Sequence, residues 1–350
     1  MKLAFEDLAL PLVHPFTIAR RSIPVSQTLV ATLHATARDG RAIEGLGESS
    51  PTPRYRETSA SIRAWFAAHP PAAHDPYALD ALLAGVPPAA RCALDLALHD
   101  WIGKDLDRPL WQLLGVDPSA TPATSFTVGI DTLDNVLTKL DEVRDRPIVK
   151  LKLGGGADDV AVVAAVRERF GGTLRLDANE AWTPEEAVRV LRELERYEIE
   201  FCEQPIPAGA PEGLRFVRER TRVPLMADED AVSARDLPAL AGCVDAVNLK
   251  VVKCGGLRAT LEAIYVARAL GFKIMLGCMV ESAVLTTAAA HLSPLADYAD
   301  LDGPFLTASD PFSGVTYDRH AKLMLPEGPG LGVRRRTGDV RAAPERPDSR

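Results

Sequence analysis

Lys152, Asp177, Glu203, Asp228 and Lys250 recur through the middle of the chain at intervals of 25, 26, 25 and 22 residues (177−152, 203−177, 228−203, 250−228). Each closes a short apolar run: Val149-Lys150-Leu151-Lys152, Leu176-Asp177-Ala178-Asn179, Phe201-Cys202-Glu203-Gln204-Pro205, Met226-Ala227-Asp228-Glu229 and Val247-Asn248-Leu249-Lys250. Three carboxylates at matched positions offer the hard oxygen donors that Mg²⁺ takes, with coordination positions left for water or substrate. Lysines before and after them are candidates for acid and base. One solvated loop acid would be unremarkable, but three in step are hard to explain that way.

The interval is what one strand, one helix and two short loops consume in a βα unit. Each charge then stands at the C-terminal edge of a strand, and in a closed barrel those edges converge on one rim. Lys150 and Lys152 are two apart, so they share a face of their strand. Crowding two ammonium groups is expected to lower their pKa values and make one competent as a base. Lys250 lies four strands further round, so it and Lys152 would address opposite faces of one bound carbon. Lys253, close to Gly255-Gly256, reads as a supporting residue. Asp300 and Asp302 repeat the i, i+2 arrangement on the eighth strand. Spacing alone fits two readings equally: a seat for a cationic group such as an ammonium, or an acidic turn before Gly303-Pro304.

The elements needed to hold these residues are legible along the chain. From Lys2 to about Ala35 apolar residues come in short β-type runs, and Asp39-Gly40 marks a hairpin turn. Ser59 to Ala67 and Ala89 to Leu114 have helical spacing, with Ala93, Leu94, Ala97 and Trp101 on one stripe. Gly45 to Tyr55 and Pro70 to Pro76 are turn-rich. After about Thr121, strands are expected to end near Ile130, Lys152, Asn179, Gln204, Asp230, Lys250, Cys278 and Asp302. Helices are expected after Asp131, Asp158, Thr183, Glu212, Ser233, Leu257 and Ser282, several of them capped by Asp, Ser or Thr. The fold class is therefore α/β: a modified (β/α)7β TIM-type barrel over residues 121–314, with an α+β capping domain from residues 1–120 to which residues 315–333 return. Residues 334–350 are charged and proline-containing, and a disordered tail is expected there.

A chain of 350 residues with 47% hydrophobic content can bury a large core. Its formal charge of −8 is mild and dispersed, which argues against nucleic acid or an anionic membrane as the partner and for a small molecule. Five widely spaced cysteines read as reduced thiols of a cytoplasmic protein, and no Cys/His cluster has zinc-ligand spacing. No signal peptide is expected, and the uncharged stretch from Ser282 to Ala296 is too short to span a membrane. A homo-oligomer is expected.

Taken together, Lys150-Leu151-Lys152, Asp177-Ala178-Asn179, Glu203-Gln204-Pro205, Ala227-Asp228-Glu229, Asn248-Leu249-Lys250 with Lys253-Cys254-Gly255-Gly256, and Gly277-Cys278-Met279 resemble the muconate lactonising branch of the enolase superfamily. Asp300-Leu301-Asp302-Gly303-Pro304 is similar to the mark of its dipeptide epimerases, of which the L-Ala-D/L-Glu epimerases are the best-known kind. The resemblance runs from Phe16-Thr17-Ile18-Ala19-Arg20 through Gly330-Leu331-Gly332. It implies one Mg²⁺ per subunit on Asp177, Glu203 and Asp228, stabilising the enediolate left when the substrate's α-proton is removed. Lys152 and Lys250 would exchange roles as base and acid, Lys150 would tune Lys152, and Asp300 and Asp302 would bind the α-ammonium of a dipeptide. The implied reaction is epimerisation of L-Ala-L/D-Xaa dipeptides.

Side-chain choice is expected from loops around Phe16 to Val25 and Ser49 to Tyr55, with Arg20, Ile23, Thr52 and Met279 against the substrate. Glutamate-handling members are expected to place an arginine where this chain has Ile23, so an apolar or small Xaa is expected at least as much as glutamate. An o-succinylbenzoate synthase or a muconate-type cycloisomerase would share the metal and lysines without needing Asp300 and Asp302. A non-catalytic binding protein on the same fold is the alternative of a different class.

Overall fold

The computed structural model describes residues 1–71, 73–156 and 158–336. Strands β1 (Lys2–Ile18), β2 (Arg21–Thr36) and β3 (Ala42–Ser49) form an antiparallel sheet in that order. Central β2 buries Leu29, Val30, Ala31 and Leu33, and helix Pro88–Asp105 packs across β3. That contact requires glycine, because a Cβ at Gly45 or Gly47 would stand 2.1 Å from Ala97 O or 2.0 Å from Ala93 O. Ile62, Phe66, Leu94 and Trp101 complete this core.

Where short runs and a loop are expected, the first two strands form one long arm. Pairing continues past a register shift between Pro11 and Phe16 and closes in a turn at Ala19 and Arg20. The outer arm projects beyond the sheet and is largely exposed, so it lacks the buried alternation by which a strand is recognised. The stretch from Ala89 to Leu114 is likewise two helices. The first ends at Asp105, Asp107 takes φ +51°, and Pro109 precedes the short helix Leu110–Leu113.

The barrel strands are β4 (Phe126–Val128), β5 (Ile148–Lys152), β6 (Thr173–Asp177), β7 (Ile199–Glu203), β8 (Leu225–Ala227), β9 (Ala246–Lys250), β10 (Lys273–Gly277) and β11 (Tyr298–Asp300). They lie in chain order, all parallel, and a bridge between Thr124 and Ala299 joins the two ends. Both faces are covered, which is why these strands are mostly apolar, interrupted by Lys150, Arg175, Glu200 and Asn248. Thr132, Asp158, Thr183 and Ser282 each accept a first-turn N–H at the start of the helix that follows β4, β5, β6 and β10. Among the described residues only the four-residue helix Gly303–Leu306 follows β11, giving the (β/α)7β pattern. After β8 the helix is reduced to Leu237–Leu240.

The C-terminal segment folds into two short ladders, Phe312–Ser313 with Arg334–Arg335 and Thr316–Tyr317 with Leu323–Met324. It also reaches the first domain, where Leu110 N donates to Gly330 O at 2.8 Å and Leu331 N to Asp100 Oδ1 at 2.8 Å. Arg334 and Arg335 thus belong to a strand rather than to a tail; residues 337–350 of the expected tail lie outside the described residues. No helix among the described residues is long and apolar enough to cross a membrane.

Candidate active site

The parallel register sets Lys152 beside Asp177 and Asp177 beside Glu203, so the ends of β5, β6 and β7 form one charged rim. Lys152 Nζ bonds Asp177. Lys150 Nζ lies 3.6 Å from Asp177 Oδ2 and 3.3 Å from Glu203 Oε2, and it also bonds Asp300 from β11. Across the barrel, Lys250 Nζ lies 2.9 Å from Asp228 Oδ2, while Lys253 Nζ holds the other Asp228 oxygen and donates to Asp228 O at 2.6 Å. Asn248 Nδ2 donates to Glu203 Oε1 at 2.7 Å. Lys150 thus joins Asp177 to Glu203, while Asp228 is held separately by Lys250 and Lys253. Among the described residues no three of His, Cys, Asp or Glu already stand close enough to hold an ion.

Burial and the charge of Asp177 push the Glu203 carboxyl up to about 7, only partly offset by Lys150. Asp228 goes the other way: burial raises it, but Lys250 and Lys253 outweigh burial and hold it far below the carboxylate range. Lys150 overturns the expectation that crowded lysines lower one another. Burial does pull it down, yet Asp300, Glu203 and Asp177 prevail and hold it well above the ordinary lysine range. Lys250 is raised for the same reason, with Asp228 the chief partner against burial.

Asp300 and Asp302, adjacent in spacing, have different partners. Asp300 is shared by Lys150 and by Ser125 Oγ at 2.5 Å. Asp302 accepts from Thr127 N at 2.7 Å through Oδ2, whereas among the described residues Oδ1 has only Cys278 Sγ at 3.9 Å. Burial and the neighbouring Asp300 charge push Asp302 up to about 6. Asp302 Oδ1 is therefore the oxygen left for a ligand.

These groups open onto a cavity of about 400 Å³, large enough for a small molecule. Lys152 and Lys250 line it from β5 and β9, four strands apart in an eight-stranded ring. The cap supplies Phe16, Ile18, Arg20 and Arg21 from the hairpin tip, and Thr52 with Arg54 and Tyr55 from the following loop. Met279, Val280 and Leu306 complete the wall, while Asp177 and Glu203 lie beneath the floor, fully buried. Arg20, expected to face substrate, is taken up by the protein: it bonds Glu180, Glu229 Oε1 at 2.6 Å and Asn179 O at 2.8 Å. Arg54 Nη2 holds the other Glu180 oxygen at 2.5 Å. Ile23 does not line the cavity; it pairs across the hairpin with Phe16, which does.

Residues 136–338 match the enolase C-terminal domain-like family, and residues 5–115 match the N-terminal domain of the mandelate racemase / muconate lactonizing enzyme family. The chain belongs to the enolase superfamily. Among its relatives, an L-Ala-D/L-amino acid epimerase of a Maribacter species is 34% identical over 95% of this chain and 99% of that protein. The substrate-liganded L-Ala-D/L-Glu epimerase of Bacillus subtilis superposes with a TM-score of 0.88 at 28% identity, covering 95% of this chain and 98% of that one. The dipeptide epimerase of Enterococcus faecalis, complexed with Mg and L-Leu-L-Tyr, gives a TM-score of 0.86 at 32% identity, again with 95% and 98% covered.

In this enolase superfamily member, sequence reasoning passes over Thr127 and Ser125, which hold Asp302 and Asp300, because hydroxyl and backbone donors on a short strand carry no pattern. It also leaves Asn179, Glu180 and Glu229 without roles, although Asn179 and Glu229 follow the candidate ligands by two positions and one. Arg54 and Tyr55 sit in a turn-rich loop whose seat over the barrel is a tertiary fact.

Proposed function

We propose that this chain is a dipeptide epimerase that inverts the α-carbon of the second residue of L-Ala-L/D-Xaa by proton transfer between Lys152 and Lys250. The observation that carries this reading is the placement of the two lysines on opposite sides of one cavity that also presents the free Asp302 Oδ1. An α-ammonium seated on Asp302 fixes the peptide, and one lysine then takes the α-proton while the other delivers a proton to the opposite face. Asp300, held by Ser125 and Lys150, adds negative charge beside that seat. A cycloisomerase or a synthase of a ring carboxylate has no ammonium for such an oxygen.

The donor set fits a divalent cation. Asp177, Glu203 and Asp228 are buried hard oxygens, and Glu203 is driven toward neutrality by burial and by its charged neighbours, a strain that a cation would relieve. Those three residues would hold Mg²⁺, which when bound supplies positive charge against the substrate carboxylate. Lys253, clamped to both side chain and backbone of Asp228, keeps that ligand in place.

Arg21 refines the substrate. The cavity's other lysines and arginines, Lys150, Lys152, Lys250, Arg20 and Arg54, are each paired with a carboxylate of the protein. Arg21 lines the cavity beside Arg20; burial and the Arg20 charge lower it, and among the described residues no carboxylate offsets this. A second residue ending in a carboxylate, glutamate foremost, answers that charge, with Phe16, Ile18 and Met279 for its stem. Ile23, on which the expectation of an apolar Xaa rested, is outside the cavity wall. The five unpaired cysteines support a reducing, cytoplasmic setting.

A library of L-Ala-L-Xaa dipeptides incubated with enzyme and Mg²⁺ in heavy water tests the reading by mass shift. Uptake of one deuterium is expected, fastest for acidic Xaa, with the acidic preference lost in Arg21→Met. No uptake across the library would refute the epimerase reading, and preference for apolar Xaa would refute the role of Arg21.

A further inference from the structure

Two buried acceptor atoms of cavity-lining residues have no donor among the described residues. Asn179 Oδ1 and Glu229 Oε2 are buried and make no hydrogen bond, although both residues line the cavity. The amide orientation is fixed by chemistry: Asn179 Nδ2 faces Glu229 Oε1 at 3.3 Å and must donate, so the oxygen is the free end. Glu229 Oε1 is further occupied by Arg20 Nη2 at 2.6 Å. Buried acceptors without donors are rare and costly, and call for a ligand or an ordered water.

The backbone is held in an unusual state to present them. Asn179 and Glu180 take φ +43° and +70°, two successive left-handed residues that are not glycine. Glu180 N, bonded to Gln204 O at 2.9 Å, and the Glu180 side chain between Arg20 and Arg54 hold the loop in place. Asn179 N donates to Asp177 Oδ1 at 2.9 Å, and Glu229 directly follows Asp228. The free oxygens therefore sit beside the ends of β6 and β8, the strands flanking Glu203, away from the ammonium seat on Asp302.

We propose that Asn179 and Glu229 are positioning residues that accept hydrogen bonds from water molecules carried by the divalent cation at Asp177, Glu203 and Asp228, an inference that rests on the cation reading above. Mg²⁺ keeps several of its waters when bound by few carboxylates, and those waters need acceptors. Groups that orient a metal's ligands commonly shift its affinity by about ten- to a hundred-fold.

Titration calorimetry of Mg²⁺ into the full chain without dipeptide tests this with two variants. Asn179→Gly keeps the left-handed backbone and the net charge and removes the amide, its free oxygen together with its bond to Glu229 Oε1. Glu229→Gln keeps the shape; because Arg20 and Asn179 both donate to one end, its amide nitrogen turns toward the cavity and replaces an acceptor with a donor. The Mg²⁺ dissociation constant is expected to rise about ten-fold in Asn179→Gly and up to about a hundred-fold in Glu229→Gln, with both variants still folded in a cooperative metal-free thermal transition above the titration temperature. With Mn²⁺ in place of Mg²⁺, water-proton relaxation is expected to show faster exchange of coordinated water in both. Weakening in Glu229→Gln alone would reduce the effect to charge and overturn the proposal. Wild-type affinity and relaxation in both variants would overturn it too while leaving the epimerase reading intact. A wild-type chain that takes up no Mg²⁺ would remove both.

Discussion

Replacing Asp302 by asparagine is expected to make the protein more stable and nearly inactive. The side chain is 3% exposed, one oxygen accepts from Thr127 N at 2.7 Å, and the other has no partner nearer than Cys278 Sγ at 3.9 Å. Burial and the Asp300 charge raise its carboxyl from the ordinary 3.8 to about 6. Between those values the folded chain binds more protons than the unfolded one, so the favourable contribution is complete below 3.8 and is lost as pH rises through about 6. At pH 7 the loss amounts to about 3 kcal/mol, at ~1.4 kcal/mol per pH unit of separation. The amide carries no charge and still accepts from Thr127 N, so Asp302→Asn is expected to gain about 3 kcal/mol at pH 7 in urea unfolding and nothing at pH 4. Its amide nitrogen then faces the substrate's ammonium. Loss of one charged hydrogen bond, about 2–3 kcal/mol, lowers kcat/KM by about a hundred-fold in dipeptide deuterium exchange. Exchange within about three-fold of wild type, or no gain in stability at pH 7, would refute the assignment of Asp302 as the ammonium seat.

His291 is fully buried, with Nε2 at 3.1 Å from Leu331 O and no partner for Nδ1, and burial lowers it from 6.5 to about 4. The unfolded chain then binds the extra proton between those values, so stability falls as pH drops; about 2 kcal/mol is expected to disappear between pH 7 and pH 5, and His291→Leu to flatten that slope in urea titrations. Glu180 holds Arg20 and Arg54, whose side chains are 35% and 41% exposed, so this latch between cap and barrel is solvent-screened. Glu180→Gln is expected to raise the dipeptide KM about two- to five-fold at low salt with little change in kcat; added NaCl is expected to raise KM in wild type and to have no such effect in Glu180→Gln.

The barrel is legible in sequence because its strands are buried on both faces and the five from β5 to β9 end at a charge, so the strand runs and the positions of Lys152, Asp177, Glu203, Asp228 and Lys250 carry the same period. Helix starts are equally plain where Thr132, Asp158, Thr183 and Ser282 cap them. The outer hairpin is not, since an arm that buries little of itself has no reason to alternate, and Ile23 is consequently expected against the cavity that Arg21, two residues before it, lines instead. The direction of the Lys150 shift escapes for a related reason. Lys152 is visible beside it in sequence, whereas Asp300 lies 150 residues away and meets it only when β11 returns to close the ring next to β4. Arg20, too, reads as a free cation until Glu180 and Glu229 are brought under the cap.

The most direct test of the two-lysine account is α-proton exchange of L-Ala-L-Glu and L-Ala-D-Glu, each in heavy water with Mg²⁺, by Lys152→Ala and Lys250→Ala. If the lysines stand on opposite faces of the α-carbon, neither variant epimerises, and each retains slow exchange of the one diastereomer whose proton faces the surviving lysine, with the configuration kept. Identical exchange of both diastereomers by either variant, or epimerisation that survives loss of either lysine, would contradict it.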